Sequence, residues 1–225
     1  MPVIPFNPAY SSPTANKRAL LLVSRIQSRI MSYFRTRRHR WLVEEFGSCR
    51  TVVDIGGRES MWQTVEMCPR VTLVNMEDME TAGLRFDYVR GDGRALNMPD
   101  DSFDLAFSNS VIEHVGPFED QQKFAQEMMR VGRRVYCQTP NRWFPVEFHF
   151  LGMFVHWLPR KWFSYRVHRY LTLRGVLAKP SQEQSNQLRS SVRLLTRREM
   201  KQLFPGCQIR TERFLGLPKS FVAWR

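Results

Sequence analysis

The residues best suited to chemistry follow a short β-branched run near the first quarter of the chain. Residues 51–55 read Thr-Val-Val-Asp-Ile and are followed by Gly56 and Gly57. A strand that ends in an acidic residue and then small residues is typical of a parallel strand that turns into a helix beside a nucleotide-type pocket. Asp54 would lie at the carboxyl end of that strand. The two glycines would allow a tight turn and a close approach of a ligand to the backbone.

Three later segments place polar residues where further strands would end. Residues 71–75 read Val-Thr-Leu-Val-Asn, and residues 90–93 read Arg-Gly-Asp-Gly. Residues 101–115 read Asp-Ser-Phe-Asp-Leu-Ala-Phe-Ser-Asn-Ser-Val-Ile-Glu-His-Val, in which a strand would end near Ser108. In open parallel sheets, ligands bind outside the carboxyl ends of the strands. The four segments together therefore predict one cleft at the strand tips.

An alternation of strands and helices must position these residues. The candidate helices lie near 60–67, 78–84 and 118–131, and Thr196 to Glu199 forms a capping-box pattern that opens a further short helix. The βαβα order predicts a parallel sheet with helices on both faces. Only a short turn separates the last two strands, so they should pair antiparallel. The candidate strands are 51–55, 71–75, 87–90, 103–107, 133–138, about 207–214 and 219–224.

Taken together, the four segments resemble class I S-adenosylmethionine-dependent methyltransferases, specifically the methyltransferase type 11 group. The most specific wording is Asp-x-Ser-Phe-Asp-Leu followed by Ser-x-x-Glu-His-Val, within residues 100–115. The resemblance covers about residues 50–140, and the terminal helix and hairpin also fit. It implies an α/β fold with a doubly wound, Rossmann-like, seven-stranded sheet that is mostly parallel with an antiparallel last strand. An N-terminal helix and an inserted helical lid would be added to that sheet.

The resemblance also implies a cofactor, S-adenosyl-L-methionine, and a role for several residues. The Gly56–Gly57 turn would admit the methionine carboxylate, Asn75 would bond the ribose hydroxyls, and Asp92 would accept from the adenine amino group. Ser108 or Asn109 would face the methionine part. The implied cofactor-binding residues are Asp54, Gly56, Gly57, Asn75, Met76, Asp92, Gly93, Ser108 and Asn109.

Two positions depart from the pattern of that family. Arg58 stands where a second glycine is expected, and Asn75 stands where an aspartate or glutamate is expected. An amide can bond a hydroxyl but lacks the charge-assisted strength of a carboxylate. The departures motivate an alternative hypothesis, a non-catalytic interaction protein that keeps the methyltransferase fold.

The acceptor side should follow the fifth strand. Residues 143–170 hold 10 of the 28 aromatic residues, interleaved with arginines and histidines, and we predict a mainly helical substrate lid at about 143–190. Aromatic residues beside arginines suit sugars, lipids or stacked bases, although a hydrophobic mini-core under a helix pair explains the aromatics equally well. The candidate substrate-binding residues are Asn141, Arg142, Trp143 and His149. His114 and His149 are the candidate general bases, although a lone histidine is more often structural.

Charge divides the chain unevenly. The net charge is +7 over residues 1–50, −6 over residues 51–140 and +12 over residues 141–225. Such basic flanks favour an anionic partner, such as a phosphate, a nucleic acid or an acidic membrane surface. Residues 1–15 are proline-rich and predict a disordered tail, and residues 16–46 predict a basic amphipathic helix before the methyltransferase domain at 47–225. The apolar stripe of that helix is predicted to run through Ala19, Leu22, Val23, Ile26, Ile30, Tyr33 and Phe34.

The leading functional hypothesis is O-methylation of an anionic, glycan or lipid-linked acceptor. The alternatives are an RNA methyltransferase and the non-catalytic protein already described. No run of apolar residues is long enough to span a membrane, the start of the chain lacks a secretory pattern, and the four cysteines show no metal-ligand spacing. We therefore expect a cytoplasmic protein, with peripheral contact of the basic helix at the inner face of the membrane as a further hypothesis.

Overall fold

The structure is a computed structural model that describes residues 16–225, except residues 64, 67–68, 78–84, 148 and 159–163 and the side chains of Ile30 and Met31. Its described residues form two compact units. Thr36–Asn141 and Arg193–Arg225 form the first, which we call the sheet unit. Residues 16–35 and Arg142–Val192 form the second, which we call the helical unit. The predicted tail at 1–15 and the predicted helix at 78–84 lie outside the described residues.

The sheet unit contains a seven-stranded sheet formed by β1 Thr51–Ile55, β2 Arg70–Asn75, β3 Phe86–Arg90, β4 Phe103–Asn109, β5 Gly132–Pro140, β8 Gln208–Phe214 and β9 Leu217–Trp224. The strand order is β3-β2-β1-β4-β5-β9-β8. The pairs among β1 to β5 are parallel, whereas β9 pairs antiparallel with both β5 and β8. The strand order reverses between β1 and β4, which is where a doubly wound sheet opens a crevice for a ligand. The predicted fold class is confirmed.

Helices cover both faces of this sheet, which explains why its central strands are apolar almost throughout. In β1, Val53 and Ile55 pack into a core with the helices α3 (Phe118–Val131) and α7 (Arg197–Leu203). Val52 packs on the other face, in a core that includes residues from the end of α1 (Lys17–Phe46). The predicted helix at 118–131 and the capping box from Thr196 to Glu199 are both confirmed.

The helix after β1 is shorter than predicted. The sequence predicts a helix near 60–67, but α2 covers only Glu59–Trp62. The guanidinium of Arg85 donates a 2.7 Å hydrogen bond to the carbonyl oxygen of Trp62. That carbonyl would otherwise accept from the next turn of the helix, so a residue far along the chain satisfies the C-terminus of α2 instead.

The buried side of the N-terminal helix includes Phe34 of the predicted stripe, but three other residues of that stripe are exposed. Leu22, Ile26 and Tyr33 were placed on the apolar stripe, yet they are 60%, 53% and 57% exposed. The buried face of α1 runs through Leu20, Phe34, Arg38, Trp41, Leu42 and Phe46. Both sets recur with the period of a helix, and only tertiary packing decides which set is covered. The exposed set leaves an apolar row on the outside of α1.

The helical unit begins its second segment with irregular structure. The sequence predicts a mainly helical segment at about 143–190, but the two-stranded hairpin β6 (Val146–Glu147) and β7 (Gly152–Met153) comes first. Leu151 and Phe154 have φ of 50° and 60°, a left-handed conformation that an α-helix cannot include. Three helices follow, α4 Tyr165–Leu171, α5 Leu173–Ala178 and α6 Gln182–Ser190. In the described part of the chain, every helix is too short or too polar to cross a bilayer.

Candidate cofactor and acceptor site

Asp54 is a buried carboxylate with one open acceptor. Its Oδ2 accepts a 2.8 Å hydrogen bond from the indole N–H of Trp62 in α2, whereas its Oδ1 is buried without a hydrogen-bond partner among the described residues. Burial raises the pKa of Asp54 to about 7, and the bond from Trp62 opposes that rise. A buried carboxylate with an open oxygen is suited to a cationic or hydrogen-bond-donating ligand.

The turn after Asp54 requires both glycines. Gly56 has φ +78°, and its N–H donates to the carbonyl of Val74 in β2. A Cβ on Gly56 would lie 2.7 Å from Cγ1 of Val111, and a Cβ on Gly57 would lie 1.8 Å from Oδ2 of Asp54. Gly57 is therefore needed so that the Asp54 carboxylate can occupy its place beneath the turn.

Asn75 stabilises the same turn from the end of β2. Its Nδ2 donates a 3.0 Å hydrogen bond to the carbonyl of Gly57. An aspartate or glutamate at this position could not donate that bond, which gives a physical reason for the departure from the family pattern. The side-chain oxygen of Asn75 remains an acceptor that could receive a ribose hydroxyl. The next residue, Met76, is exposed, and Arg58 lies extended at the start of α2.

Asp92 and Gly93 lie in the loop after β3. Asp92 accepts from both the backbone N–H and the guanidinium of Arg94, and these bonds hold its pKa below the usual range. An adenine amino group would therefore have to donate to a carboxylate, that of Asp92, which already accepts hydrogen bonds from Arg94. A Cβ on Gly93 would lie 2.6 Å from Cγ2 of Ile55 and 2.7 Å from the Phe124 ring, so this glycine serves close packing.

Ser108 and Asn109 end β4 beside β1 but have different partners. The Ser108 hydroxyl is buried and donates a 3.1 Å hydrogen bond to the carbonyl of Ile55. The Oδ1 of Asn109 accepts from Nη1 of Arg38, an arginine on α1. Asn109 is therefore oriented by α1.

The described contacts bring most of the predicted cofactor residues to the tip of β1. Asp54, Gly56 and Gly57 form that tip, and Asn75 is bonded to it. Gly93 packs on Ile55, and Ser108 is bonded to the carbonyl of Ile55. The side chains of Asp92 and Asn109 instead accept hydrogen bonds from arginines. That these residues contact a cofactor stays a prediction.

The candidate acceptor residues of the sheet unit follow β4 and β5. His114 ends a short 3₁₀ helix at Ile112–His114. The adjacent Glu113 is buried and accepts a 2.9 Å bond from the Thr139 hydroxyl. Asn141 is also buried, and its Nδ2 donates to the carbonyl of Pro218. Asn141 thus holds the loop before β9.

The other candidate acceptor residues belong to the helical unit. The guanidinium of Arg142 lies 5.5 Å from the ring centroid of Trp143, which is exposed. His149 is buried, and its Nδ1 contacts a carboxylate oxygen of Glu147. Burial would raise the pKa of Glu147, but the His149 ring and the N–H of Phe150 hold it below its usual value. A histidine oriented by a buried carboxylate in this way can act as a general base.

The structure adds residues that the sequence analysis did not select. Trp62 orients Asp54, and Arg38 connects α1 to the ends of β4 and β5. Arg38 lies in the basic run 35–40, where composition alone does not show which arginine turns inward. In the sequence, nothing marks Trp62 as a partner of Asp54 except that the two residues lie close together in the chain.

The residues around the tip of β1 can be compared with the chemistry of S-adenosylmethionine, which the resemblance implies. That molecule carries a sulfonium and an ammonium group as well as ribose hydroxyls. The open Oδ1 of Asp54 would accept from a cationic donor, and the amide oxygen of Asn75 would accept from a hydroxyl. Gly56 and Gly57 are half-buried at the tight turn. The donor and acceptor set therefore fits this cofactor.

Comparisons with known proteins agree with this fit. The family described as a methyltransferase domain matches residues 49–134. A S-adenosylmethionine-dependent methyltransferase from Archaeoglobus fulgidus superposes with a TM-score of 0.54 at 12% identity, over 86% of this chain and 94% of that one. A S-adenosylmethionine-dependent methyltransferase from Mesorhizobium loti superposes with a TM-score of 0.51 at 16% identity, over 84% and 95% of the two chains. A comparison with curated proteins found no match.

Proposed function

Because the fold is that of class I, Rossmann-like methyltransferases and a methyltransferase-domain family matches residues 49–134, we propose that the chain uses S-adenosyl-L-methionine to catalyse O-methylation of an anionic, glycan or lipid-linked acceptor. The observation that best supports a catalytic function is the buried Oδ1 of Asp54, an acceptor without a described partner at the tip of β1. An unpaired buried carboxylate oxygen is unfavourable unless a ligand completes its bonding. A cationic ligand at this turn would do so.

The cofactor supplies an electrophilic methyl group on a sulfonium. The residues of the chain align the reactants and exclude water. Asp54 and Asn75 would hold the nucleoside and amino-acid parts, with Gly56 and Gly57 shaping the turn. His149, oriented by Glu147, would take the proton of an acceptor hydroxyl, and His114 is the second candidate for that role.

The charge distribution supports an anionic acceptor. Residues 16–35 and 142–192 carry 13 basic and 2 acidic residues, whereas the rest of the chain is close to neutral. In the helical unit, arginines lie beside exposed aromatics, as at Arg142–Trp143 and Arg169–Tyr170. Sugars and lipid-linked glycans present both apolar faces and acidic groups, which such pairs can bind.

The proposed activity is tested by transfer of a labelled methyl group from S-adenosylmethionine to a panel of acceptors. The panel contains acidic polysaccharide, neutral polysaccharide, lipid-linked glycan and RNA. We expect a base-stable product with an acidic or lipid-linked glycan. His149→Gln should lower turnover while leaving cofactor binding unchanged. Cofactor binding without transfer to any acceptor, and with unchanged cellular function of Asp54→Ala, would favour the non-catalytic alternative.

The RNA alternative rests on the same positive charge. Arginines that neutralise phosphates give an affinity that falls steeply with salt. If labelled methyl enters RNA, and if RNA binding weakens by several orders of magnitude between low and physiological salt, the RNA hypothesis replaces the glycan hypothesis.

Peripheral contact with an anionic membrane is a further part of the proposal. Leu22, Ile26 and Tyr33 form an exposed apolar row, and Arg25 and Arg29 have the spacing of the same helix face. A helix that combines apolar and basic residues on an exposed face can insert its apolar side chains while its arginines bind anionic headgroups. The full chain should sediment with phosphatidylglycerol vesicles, whereas it should not sediment with phosphatidylcholine vesicles.

A further inference from the structure

The helical unit exposes a cluster of large apolar side chains at and beside its β6–β7 hairpin. The cluster, which we call the aromatic turn, consists of Trp143, Met153, Phe154, Trp157 and Leu158, each between 37% and 61% exposed. The ring centroid of Trp157 lies 6.0 Å from that of Trp143 and 4.8 Å from that of Phe154. Folded proteins rarely leave such a cluster in water unless a partner covers it.

Hydrogen bonds fix the backbone of the aromatic turn. The N–H of Phe154 donates a 2.8 Å hydrogen bond to the carbonyl of Pro145, next to the paired strands of the hairpin. Phe154 has φ +60°, a left-handed conformation that is rare for a bulky residue and that persists mainly at interaction sites. The indole N–H of Trp157 donates a 3.0 Å hydrogen bond to the carbonyl of Arg142. The polar group of that indole is therefore paired within the chain.

The geometry of the rings favours insertion into an apolar medium over stacking on a flat ligand. The ring of Trp157 is inclined by 62° to that of Trp143 and by 57° to that of Phe154, so the three rings do not share a plane. Sugars and nucleobases stack on the flat face of a ring. Met153 and Leu158 add flexible aliphatic groups, which match the hydrocarbon chains of lipids.

The charges of the surrounding segment are almost all positive. Residues 142–182 contain seven arginine and lysine residues and one acidic residue, Glu147. Glu147 is buried and accepts a hydrogen bond from the N–H of Phe150. The guanidinium carbon of Arg142 lies 5.5 Å from the ring centroid of Trp143. This segment therefore favours an anionic partner, and a second copy of the chain would bring the same excess positive charge.

Backbone contacts connect the hairpin with further exposed apolar residues of the same unit. The N–H of Leu173 donates a 3.1 Å hydrogen bond to the carbonyl of Leu151 in the hairpin loop. Leu173, at the start of α5, and Leu171, at the end of α4, are both exposed. At the other end of α5, the carbonyl of Leu177 accepts from the N–H of Asn16, just before α1. These contacts join the aromatic turn, through α5, to the helix whose exposed apolar row is proposed to contact a membrane.

We propose that the aromatic turn inserts into the surface of a bilayer that contains anionic lipids, as a second contact besides the exposed row of α1. Tryptophan side chains are enriched at the boundary between membrane and water, and neighbouring arginines attract anionic headgroups. The inference rests on the proposed membrane contact and deepens it, because it names a second lipid-binding surface. A chain held at the bilayer in this way would meet a lipid-linked acceptor there.

The test compares Phe154→Asn with Leu215→Asn in the full chain. Leu215 is the matched control, since it is an exposed residue of the sheet unit with φ 49°. Asparagine adopts left-handed backbone more readily than either residue, so both variants should fold. Vesicles of phosphatidylglycerol mixed with phosphatidylcholine are the probe. Phe154→Asn should weaken vesicle binding about tenfold, because an aromatic ring no longer inserts, whereas Leu215→Asn should leave binding unchanged.

Fluorescence quenching provides a second measurement. Phosphatidylglycerol with brominated acyl chains quenches indoles that the bromine atoms contact. The measurement uses a Trp162→Phe background, because Trp162 lies outside the described residues. In that background the brominated vesicles should quench the tryptophan fluorescence, and Trp143→Phe with Trp157→Phe should remove most of the quenching. Undiminished quenching after both substitutions would overturn the inference.

The outcomes separate this inference from the proposal on which it rests. If Phe154→Asn binds vesicles as tightly as wild type while Leu22→Ala with Ile26→Ala binds them more weakly, only the aromatic turn is wrong and the contact of α1 stands. If wild type does not bind anionic vesicles at all, the proposed membrane contact is overturned as well. If Phe154→Asn weakens binding of a soluble acidic polysaccharide but not of vesicles, the surface binds a glycan, and the inference is wrong.

Discussion

The two compact units differ in how they handle charge and apolar surface. Among the described residues, seventeen large hydrophobic side chains are exposed, and thirteen of them belong to the helical unit. Of the net charge of +13, residues 16–35 and 142–192 carry +11. The sheet unit contains several ion pairs between an arginine and a carboxylate, among them Arg94–Asp92, Arg130–Glu127 and Arg193–Glu199. The helical unit thus carries most of the excess positive charge and most of the exposed large hydrophobic side chains.

This difference assigns separate tasks to the units. In the sheet unit, the buried Oδ1 of Asp54 has no hydrogen-bond partner among the described residues. A buried polar atom of this kind is a candidate ligand position. In the helical unit, the excess of basic residues and the exposed apolar side chains are the basis of the proposed anionic partner.

The largest expected effect concerns the integrity of the sheet unit. Gly57→Ala places a Cβ 1.8 Å from the Asp54 carboxylate, so we expect a loss of about 3 kcal/mol or more of unfolding free energy. Gly91→Ala is the matched control, since its Cβ would meet only the Val74 side chain at 3.3 Å. Chemical denaturation measures both. Equal stabilities of the two variants would break the claim that this turn is packed around Asp54.

The next effect should appear only on the surface of the helical unit. Leu22→Ala with Ile26→Ala removes apolar area that would insert into a bilayer, so vesicle affinity should fall by about 2 kcal/mol without a change in unfolding free energy. Leu217→Ala, an exposed leucine of the sheet unit, should have no effect on vesicle binding. A loss of vesicle binding in the control alone would contradict the division between the units.

A smaller effect follows from the titration of Asp54. Burial raises its pKa to about 7, so in the free protein the carboxyl is increasingly protonated as the pH falls below that value. A cationic ligand prefers the carboxylate, hence the affinity for S-adenosylmethionine should fall by at most about tenfold for each pH unit below 7. Calorimetric titrations between pH 5.5 and 8, with about three points below the pKa, measure this pH dependence of the affinity. The slope should disappear in Asp54→Asn.

The smallest effect concerns the partner that orients Asp54. Trp62→Phe removes the indole N–H but keeps an aromatic ring in the core. The affinity for S-adenosylmethionine should fall by about 1 kcal/mol, roughly fivefold, because one charge-assisted hydrogen bond is lost. The pH below which affinity declines should also rise. A variant with unchanged affinity and unchanged pH profile would show that Trp62 only fills space.

The strands were predictable from local sequence because β-branched runs end at acidic, amide or glycine residues. The end of α2 was not predictable, since it depends on a bond from Arg85, which lies 23 residues away from Trp62. The buried side of α1 was predicted only in part, since Phe34 is buried but Leu22, Ile26 and Tyr33 are exposed. Two apolar rows have the same helical period, and the sequence does not show which of them tertiary packing covers.

Some residues of the candidate site could be predicted from the sequence, and others could not. Asp54 and its glycines were predictable because a strand-to-glycine turn is a local pattern. The role of Asn75 as a donor to Gly57 was not, because it depends on the contact between the tips of two strands. Arg38 could not be told from its neighbours in the basic run 35–40, since its inward direction depends on Asn109 and Gln138.

The most direct test is calorimetric titration of S-adenosylmethionine into wild type, Asp54→Asn and Asp87→Asn at pH 8. Asp87 is a surface carboxylate paired with Arg70, so its substitution controls for the loss of one negative charge. Wild type and Asp87→Asn should bind one molecule per chain with the same affinity, and Asp54→Asn should bind about 30-fold more weakly, or about 2 kcal/mol. No binding by wild type, or equal binding by Asp54→Asn, would contradict the account.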